Sequence, residues 1–231
     1  MPSLTQLLAN HRSLLVLDAA STAVQVGLLR AGSPAVWRYT ADAEAGTALF
    51  ASSQAVLHEA GIKMEDVGAF VFCEGPGSML GTRTVAMALR TWQVLKPRPA
   101  YAYQSLTLLA HDIVVVTGVR GPFSVITDAR RESWNRVAVT ADDAVQPLQR
   151  VSAADLAAGS EPLYSPPVFR AWATPPRKTR DYPYNVEALL KGHADRDLFR
   201  AVDAPDAFQH EAPEYKKWSA QVHSAATAPA K

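Results

Sequence analysis

The stretch from Leu14 to Leu95 constrains the fold most, because its apolar residues change period in an ordered way. Three strand-like runs come first: Leu14 to Asp18, Val24 to Arg30 and Ala35 to Thr40. The second alternates Val24, Val26 and Leu28 with Gln25 and Gly27, as a half-buried antiparallel strand does. Gly32-Ser33-Pro34 is a turn into the third. The period then lengthens. Leu49, Phe50, Val56 and Leu57 recur at helical spacing within Thr47 to Ala60, and Gly61 is a C-terminal stop. Ala69 to Cys73 reads as a strand covered on both faces. Glu74-Gly75-Pro76-Gly77-Ser78 then turns the chain into a second helix, Met79 to Leu95, closed by Pro97 and Pro99.

Tyr101 to Tyr103 reads as another strand, followed by a helix that Ser105 would cap, and Ile113 to Thr117 as a further buried strand. A three-strand meander followed by alternating helices and strands predicts an α/β fold: a mixed sheet with flanking helices, of the ribonuclease H-like type. A second unit starts after Gly118 and Gly121. Phe123 to Thr127 and Trp134 to Thr140 form two strands around Asp128-Ala129-Arg130-Arg131-Glu132-Ser133. A helix at Ala153 to Ala158 precedes Pro162 to Pro183, whose six prolines predict irregular chain. A short helix follows at Asn185 to Gly192. Ser219 to Lys231 reads as a frayed tail. The expected division is a lobe over 1–117, a smaller lobe over 118–219 and a tail over 220–231. No internal repeat is visible in the sequence.

Composition sets the outer limits. With 231 residues, 48% hydrophobic and 19% charged, the chain can bury a sizeable core and is not wholly disordered. Lys plus Arg number 23 against 22 Asp plus Glu, which argues against a strongly basic nucleic-acid wrapper. The single cysteine, Cys73, excludes an intramolecular disulfide and fits a reducing compartment. Apolar runs such as Ile113 to Val116 fall far short of the ~20 residues that span a bilayer. Leu14 to Leu17 is broken by Asp18 and lacks the flanks of a signal peptide, so the expected location is cytoplasmic, with no membrane partner.

Much chemistry can be set aside. His11, His58, His111, His193, His210 and His223 include no pair at zinc-binding helical spacing. No Gly-x-Ser-x-Gly elbow exists, and Gly81-Thr82-Arg83 stands where a phosphate loop would need Gly-Lys-Thr. Cys73 has no adjacent base and reads as a small buried hydrophobe. Two features remain. Leu15-Val16-Leu17-Asp18-Ala19-Ala20-Ser21-Thr22 could place backbone N–H groups and hydroxyls around a phosphate, or be an ordinary turn with alanines where glycine would give freedom. Cys73 to Arg83 is strand, glycine loop and helix start, a generic anion site or simply a tight connection capped by Ser78 and packed closely at Gly81.

Taken together, these stretches resemble the TsaB (YeaZ) family. The opening Leu15 to Thr22 is similar to the family's Leu-Ala-Leu-Asp-Thr-Ser-Thr. Gly75, Pro76, Gly77, Ser78, Gly81 and Arg83 match its block Gly-Pro-Gly-Ser-Phe-Thr-Gly-Leu-Arg. Asp128-Ala129-Arg130-Arg131-Glu132 approaches Asp-Ala-Arg-Arg-Gly-Glu-Val, and Pro213-Glu214-Tyr215-Lys216-Lys217 looks like the closing Pro-x-Tyr-Leu-Arg. Met79-Leu80 and Thr82 depart from the second block. The glycine after Arg131 is missing, and so is the His-Ser-Glu that opens the family's first helix.

The resemblance implies a two-lobed, actin-like ATPase fold with a truncated second lobe and decayed catalysis. It implies a non-catalytic assembly subunit in bacterial synthesis of tRNA threonylcarbamoyladenosine, beside the anticodon. The expected partners are a TsaD-like catalytic subunit and a TsaE-like ATPase, with tRNA engaged indirectly and a homodimer when the chain is alone. No catalytic or metal residue is expected, and no resident cofactor beyond ATP or ADP at a subunit junction. The first two helices would form the partner interface through Leu49, Phe50, Met79, Leu80, Ala86 and Leu89. Asp18, Ser21, Thr22, Gly75, Gly77, Ser78 and Arg83 would bind a phosphate or organise the loop. The basic residues Arg170, Arg177, Lys178 and Arg180 read as a solvated loop or as contacts to tRNA phosphates. Two other readings stay open: an Mg-dependent ribonuclease H-like nuclease using Asp18 and Glu74, with Asp128 a distant third acid, and a small-molecule kinase.

Overall fold

The computed structural model describes residues 1–210; the tail over 220–231 and the closing motif Pro213 to Lys217 lie outside the described residues. The elements run α1 (Leu4–His11), β1 (Ser13–Asp18), β2 (Ala23–Arg30), β3 (Val36–Ala41), α2 (Ala45–Glu59), β4 (Ala69–Gly75), α3 (Met79–Leu95), β5 (Ala100–Gln104) and α4 (Ser105–Thr117). The second half adds β6 (Phe123–Asp128), β7 (Ser133–Val139), β8 (Gln149–Ser152), α5 (Ala153–Ala158), β9 (Leu163–Ser165), β10 (Thr179–Asp181), α6 (Val186–Gly192) and β11 (Arg200–Val202).

Two mixed sheets result. The first has the order β11-β5-β4-β1-β2-β3 and the second β10-β9-β6-β7-β8. β1 pairs antiparallel with β2 and parallel with β4. In the same way, β6 pairs antiparallel with β7 and parallel with β9. Every residue of β1 and β4 is buried, as strands covered on both faces must be. This is the ribonuclease H-like, actin-like arrangement expected from the element order.

α2 and α3 cover one face of the first sheet, where Leu15, Leu17, Phe70 and Phe72 meet Leu49, Val56, Val85 and Leu89. α4 lies on the other face and also packs against β6 and β7, so its Leu109 and Ile113 belong to a core that spans both sheets. Here the expected strand at Ile113 to Thr117 is corrected: these residues are the last turns of α4, ended by Gly118 in the left-handed region. A short β-branched apolar run suits a buried strand or a buried helix end equally, and the two flanking sheets decide for the helix. Ser105 is also corrected. It is the first residue of α4 rather than its cap, and its hydroxyl donates to the Pro76 carbonyl at 2.6 Å.

Other elements, among them α1, β9, β10 and β11, escaped the pattern. α1 is capped by Ser3, whose Oγ accepts from the Gln6 N–H while Gln6 reaches back to the Ser3 N–H. β9 and β10 are three-residue strands inside the proline-rich stretch. β11 returns from the second half to add an edge strand to the first sheet, antiparallel to β5.

Candidate functional site

Between the two sheets lies a cleft of about 1090 Å³. One wall is the β1–β2 turn and the glycine loop between β4 and α3. The other is the β6–β7 turn, residues 128–131, together with Arg150, Arg170 and Trp172. The glycine loop is shaped by close approach. The Ser78 N–H donates to the Ala20 carbonyl at 2.7 Å. A Cβ at Gly77 would come within 2.2 Å of that oxygen, and one at Gly81 within 2.0 Å of the Ala19 oxygen, so neither position tolerates a side chain. Ser78 caps α3, its Oγ accepting from the Gly81 N–H at 3.2 Å. The packing reading of this motif is therefore realised. The loop's main chain is committed to holding the first turn.

The same holds for the first-turn side chains. Asp18 is fully buried: one carboxylate oxygen accepts from Tyr103 Oη and Tyr184 Oη, both at 2.6 Å, and the other accepts from the Ala20 N–H at 2.9 Å. Burial nonetheless raises its pKa, outweighing those hydrogen bonds. Burial and the neighbouring carboxylate raise both phenols well above the tyrosine range, so both stay protonated donors. Cys73, buried beside them, is pushed up for the same reasons and stays a thiol. Ser21 Oγ donates to the Ala23 carbonyl at 3.0 Å and accepts from its N–H. Thr22 lines the cleft while its N–H bonds the Val168 carbonyl at 2.8 Å. Glu74 accepts from Arg200 at 2.5 Å and Gln104 at 3.2 Å. Asp18 and Glu74 thus do not converge on an open cation site, which removes the geometric basis of the nuclease reading.

Arg83 lies exposed on the cleft wall and makes no hydrogen bond or ion pair among the described residues, so it does not tie the loop to the second sheet. On the opposite wall sequence reasoning singled out Asp128, Arg130, Arg131 and Arg170 but not Arg150 or Trp172. Asp128 Oδ1 accepts from the Arg130 N–H, and Oδ2 accepts from the N–H groups of Trp172 and Ala173 at 2.6 and 2.8 Å. Arg150 donates to Ser133 Oγ at 2.7 Å and to the carbonyls of Ala129 and Arg130. These bonds hold Arg130, Arg131 and Glu132 at φ of 63°, 52° and 53°, a left-handed run without a glycine. The Arg130 guanidinium lies 4.8 Å from the Trp172 ring centroid. Of the four basic residues in the proline-rich stretch, Arg170 faces this cleft. Arg177 instead bonds the Leu156 carbonyl and Glu161, and Arg180 bonds Tyr164.

The expected interface residues divide. Leu49 and Leu89 are 0% exposed and Ala86 1%, so they pack inside the chain and offer no surface to a partner. That corrects their assignment: at helical spacing an inward and an outward apolar residue look alike in sequence. Phe50, Met79 and Leu80 do face outward, joined by Met87, Val94 and Leu95. On α3, Leu80, Thr84, Met87, Thr91 and Val94 form one stripe at three- and four-residue steps. Its two hydroxyls donate back to the carbonyls of Leu80 and Met87 at 2.8 and 2.9 Å, so the stripe presents little polar surface.

The TsaD family, described as tRNA N6-adenosine threonylcarbamoyltransferase, matches residues 47–154, a range holding α2, the glycine loop, α3 and the Asp128 turn. The fold superposes on YeaZ from Pseudomonas aeruginosa with a TM-score of 0.54 and 22% identity, over 66% of this chain and 74% of that one. A second Pseudomonas aeruginosa structure, of a protein similar to peptidase YeaZ, matches with the same figures. The YeaZ structures share the fold of this chain, and the TsaD-family match covers somewhat less than half of it. No curated protein matches in sequence. Among the described residues, no helix is long and apolar enough to cross a membrane.

Proposed function

We propose that the chain is a non-catalytic assembly subunit of the tRNA threonylcarbamoyladenosine system, completed by a TsaD-like subunit through the outward face of α2 and α3. The observation that carries this reading is the exposed apolar stripe. Leu80 is 71% exposed, Met87 59%, Val94 85% and Leu95 79%, in a helix whose opposite side is fully packed. An apolar face of this kind on a folded chain is the usual mark of a protein contact. The TsaD-family match over these helices and the YeaZ-like fold support the choice of partner. In this reading residues 1–117, joined by β11, form the pairing lobe and the second sheet packs behind it. A TsaE-like ATPase engages the assembled pair, tRNA is met through it, and two copies pair by the same face when the partner is absent. The commitment of Asp18 to two tyrosines supports a subunit without its own phosphoryl chemistry.

Co-expression with a TsaD-type subunit tests the proposal. The two should co-purify, and Leu80→Asp with Met87→Asp should break the complex while the melting temperature of the chain stays unchanged. A chain that remains monomeric and ignores that subunit at micromolar concentration overturns it.

A further inference from the structure

The cleft contains guanidinium groups with nothing to hold. Arg83, Arg131 and Arg170 are exposed in its lining and make no hydrogen bond or ion pair among the described residues. The Arg130 guanidinium lies over the indole of Trp172. The three carboxylates lining the same cleft are all engaged. Asp128 accepts from three backbone N–H groups, Glu44 caps α2 through the Gly46 and Thr47 N–H groups, and Glu74 is paired with Arg200. In a chain of net charge +1, an arginine surplus focused in one concavity creates a local positive potential. Trp172 adds an aromatic face. It is 66% exposed, and its backbone is fixed to the second sheet by Asp128.

We propose that this cleft binds a nucleotide unit, phosphate together with an unstacked base, without a divalent cation. The phosphate lies among Arg83, Arg131 and Arg170, and the base stacks on Trp172 beside Arg130. Arginine forks match phosphate oxygens, and base–aromatic stacking tolerates any base. The site differs from the phosphate site suggested by the sequence, because the Ser78 N–H of the glycine loop is taken by the Ala20 carbonyl, the Thr22 N–H by the Val168 carbonyl, and Asp18 is sealed from any cation. The same chemistry is carried by a free nucleotide or by a single-stranded segment. Arg83 comes from α3, but the inference rests mainly on Trp172, Arg130, Arg131 and Arg170, which lie on the second half of the chain away from the pairing face.

The test uses the full chain alone and a fluorescently labelled short single-stranded RNA, read by anisotropy at several salt concentrations in EDTA. Binding should survive EDTA and weaken with salt, with a log–log slope near −0.7 for each phosphate engaged. Arg131→Ala with Arg170→Ala should reduce that slope by about 0.7, the loss of one phosphate contact, and weaken binding at least ~10-fold, with an unchanged melting curve. Trp172→Ala should cost roughly 5- to 100-fold for RNA yet leave competition by tripolyphosphate unchanged. Displacement by mononucleotides would identify the source as a free nucleotide, and displacement by strands alone a polymer. No binding at low salt, dependence on Mg²⁺, insensitivity to the arginine pair, or equal competition by poly-glutamate would each overturn the proposal, the last by showing an acidic peptide site instead. Loss of TsaD pairing in a Met87→Asp, Val94→Asp variant, whose changes lie outside the cleft lining, should leave this result untouched, so the two readings fail separately.

Discussion

The two sheets repeat one strand order, β3-β2-β1-β4-β5 in the first and β8-β7-β6-β9-β10 in the second, yet they are built to different depths. In the first, the connections from β3 to β4 and from β4 to β5 are helices of 15 and 17 residues. In the second, the equivalent helix α5 has 6 residues, and the link between β9 and β10 is a proline-rich loop with no helix. The packed core under α2 and α3 has eighteen buried apolar residues, and that under α5 has four: Ile126, Trp134, Leu156 and Leu163. A shared hydrogen-bond ladder therefore does not require a shared core. Where the second helix is missing, the chain is free to carry Arg170 and Trp172 into the cleft.

The sharpest way to break this contrast is to place a charge in the deep core. Leu89→Asp should cost at least ~3 kcal/mol, because a carboxylate without a partner would sit between α3 and the sheet. The same charge at Leu80 should leave stability within ~0.5 kcal/mol, both read by denaturant unfolding. Next, Leu49→Ala should lose about 3–5 kcal/mol and Leu156→Ala about 2 kcal/mol, because the shallow core under α5 collapses around the gap more easily. Equal losses would dissolve the distinction between the two halves. Hydrogen exchange offers a parallel reading, with amides of β8 to β10 opening before those of β1 and β4.

Two smaller effects probe the joint. His111 on α4 has its pKa lowered to about 4, first by burial and then by Arg196 and His193. The unfolded chain takes a proton near pH 6.5 that the folded one refuses. Stability should be full above that pH and fall as pH drops toward 4, and His111→Leu should flatten this part of the profile. Asp18 has the opposite sign. Its raised pKa means that its contribution is present below the ordinary carboxylate range and is lost as pH rises through the folded value. Asp18→Asn should therefore gain on the native chain as pH rises across that window, seen as a growing difference in melting temperature. A difference independent of pH would refute the assignment.

The first half was legible because its signals are local and strong. The limits of α3, Met79 and Leu95, follow from Ser78 before it and the prolines after it, with the stripe between. α1 carried a legible sign, Ser3 with Gln6 three residues on, but eight residues are a weak pattern. Ile113 to Thr117 misled because β-branched residues favour strands in general, and only the sheets on either side of α4 override that preference. The arginine wall was the least legible. Arg130 and Arg131 stand together in the chain, but their union with Arg170 and Trp172 about 40 residues later depends on Asp128 binding the later loop's N–H groups. Such tertiary hydrogen bonds leave no periodic trace. Which apolar helix residues look inward and which outward was hidden for a related reason, since α3 is greasy on both sides.

The grip of Tyr103 and Tyr184 on Asp18 has one more outcome. One phenol comes from β5 and the other from the approach to α6, whose backbone also bonds Gln25 of β2, so together they fasten the returning chain to the first sheet. Lifting that segment away would leave a sealed carboxyl group without one of its donors, a cost of about 1–3 kcal/mol. A two-lobed outline invites the image of a clamshell that opens and shuts, but the core around α4 is shared by both sheets. Whatever enters must come in from the rim and find the walls already standing.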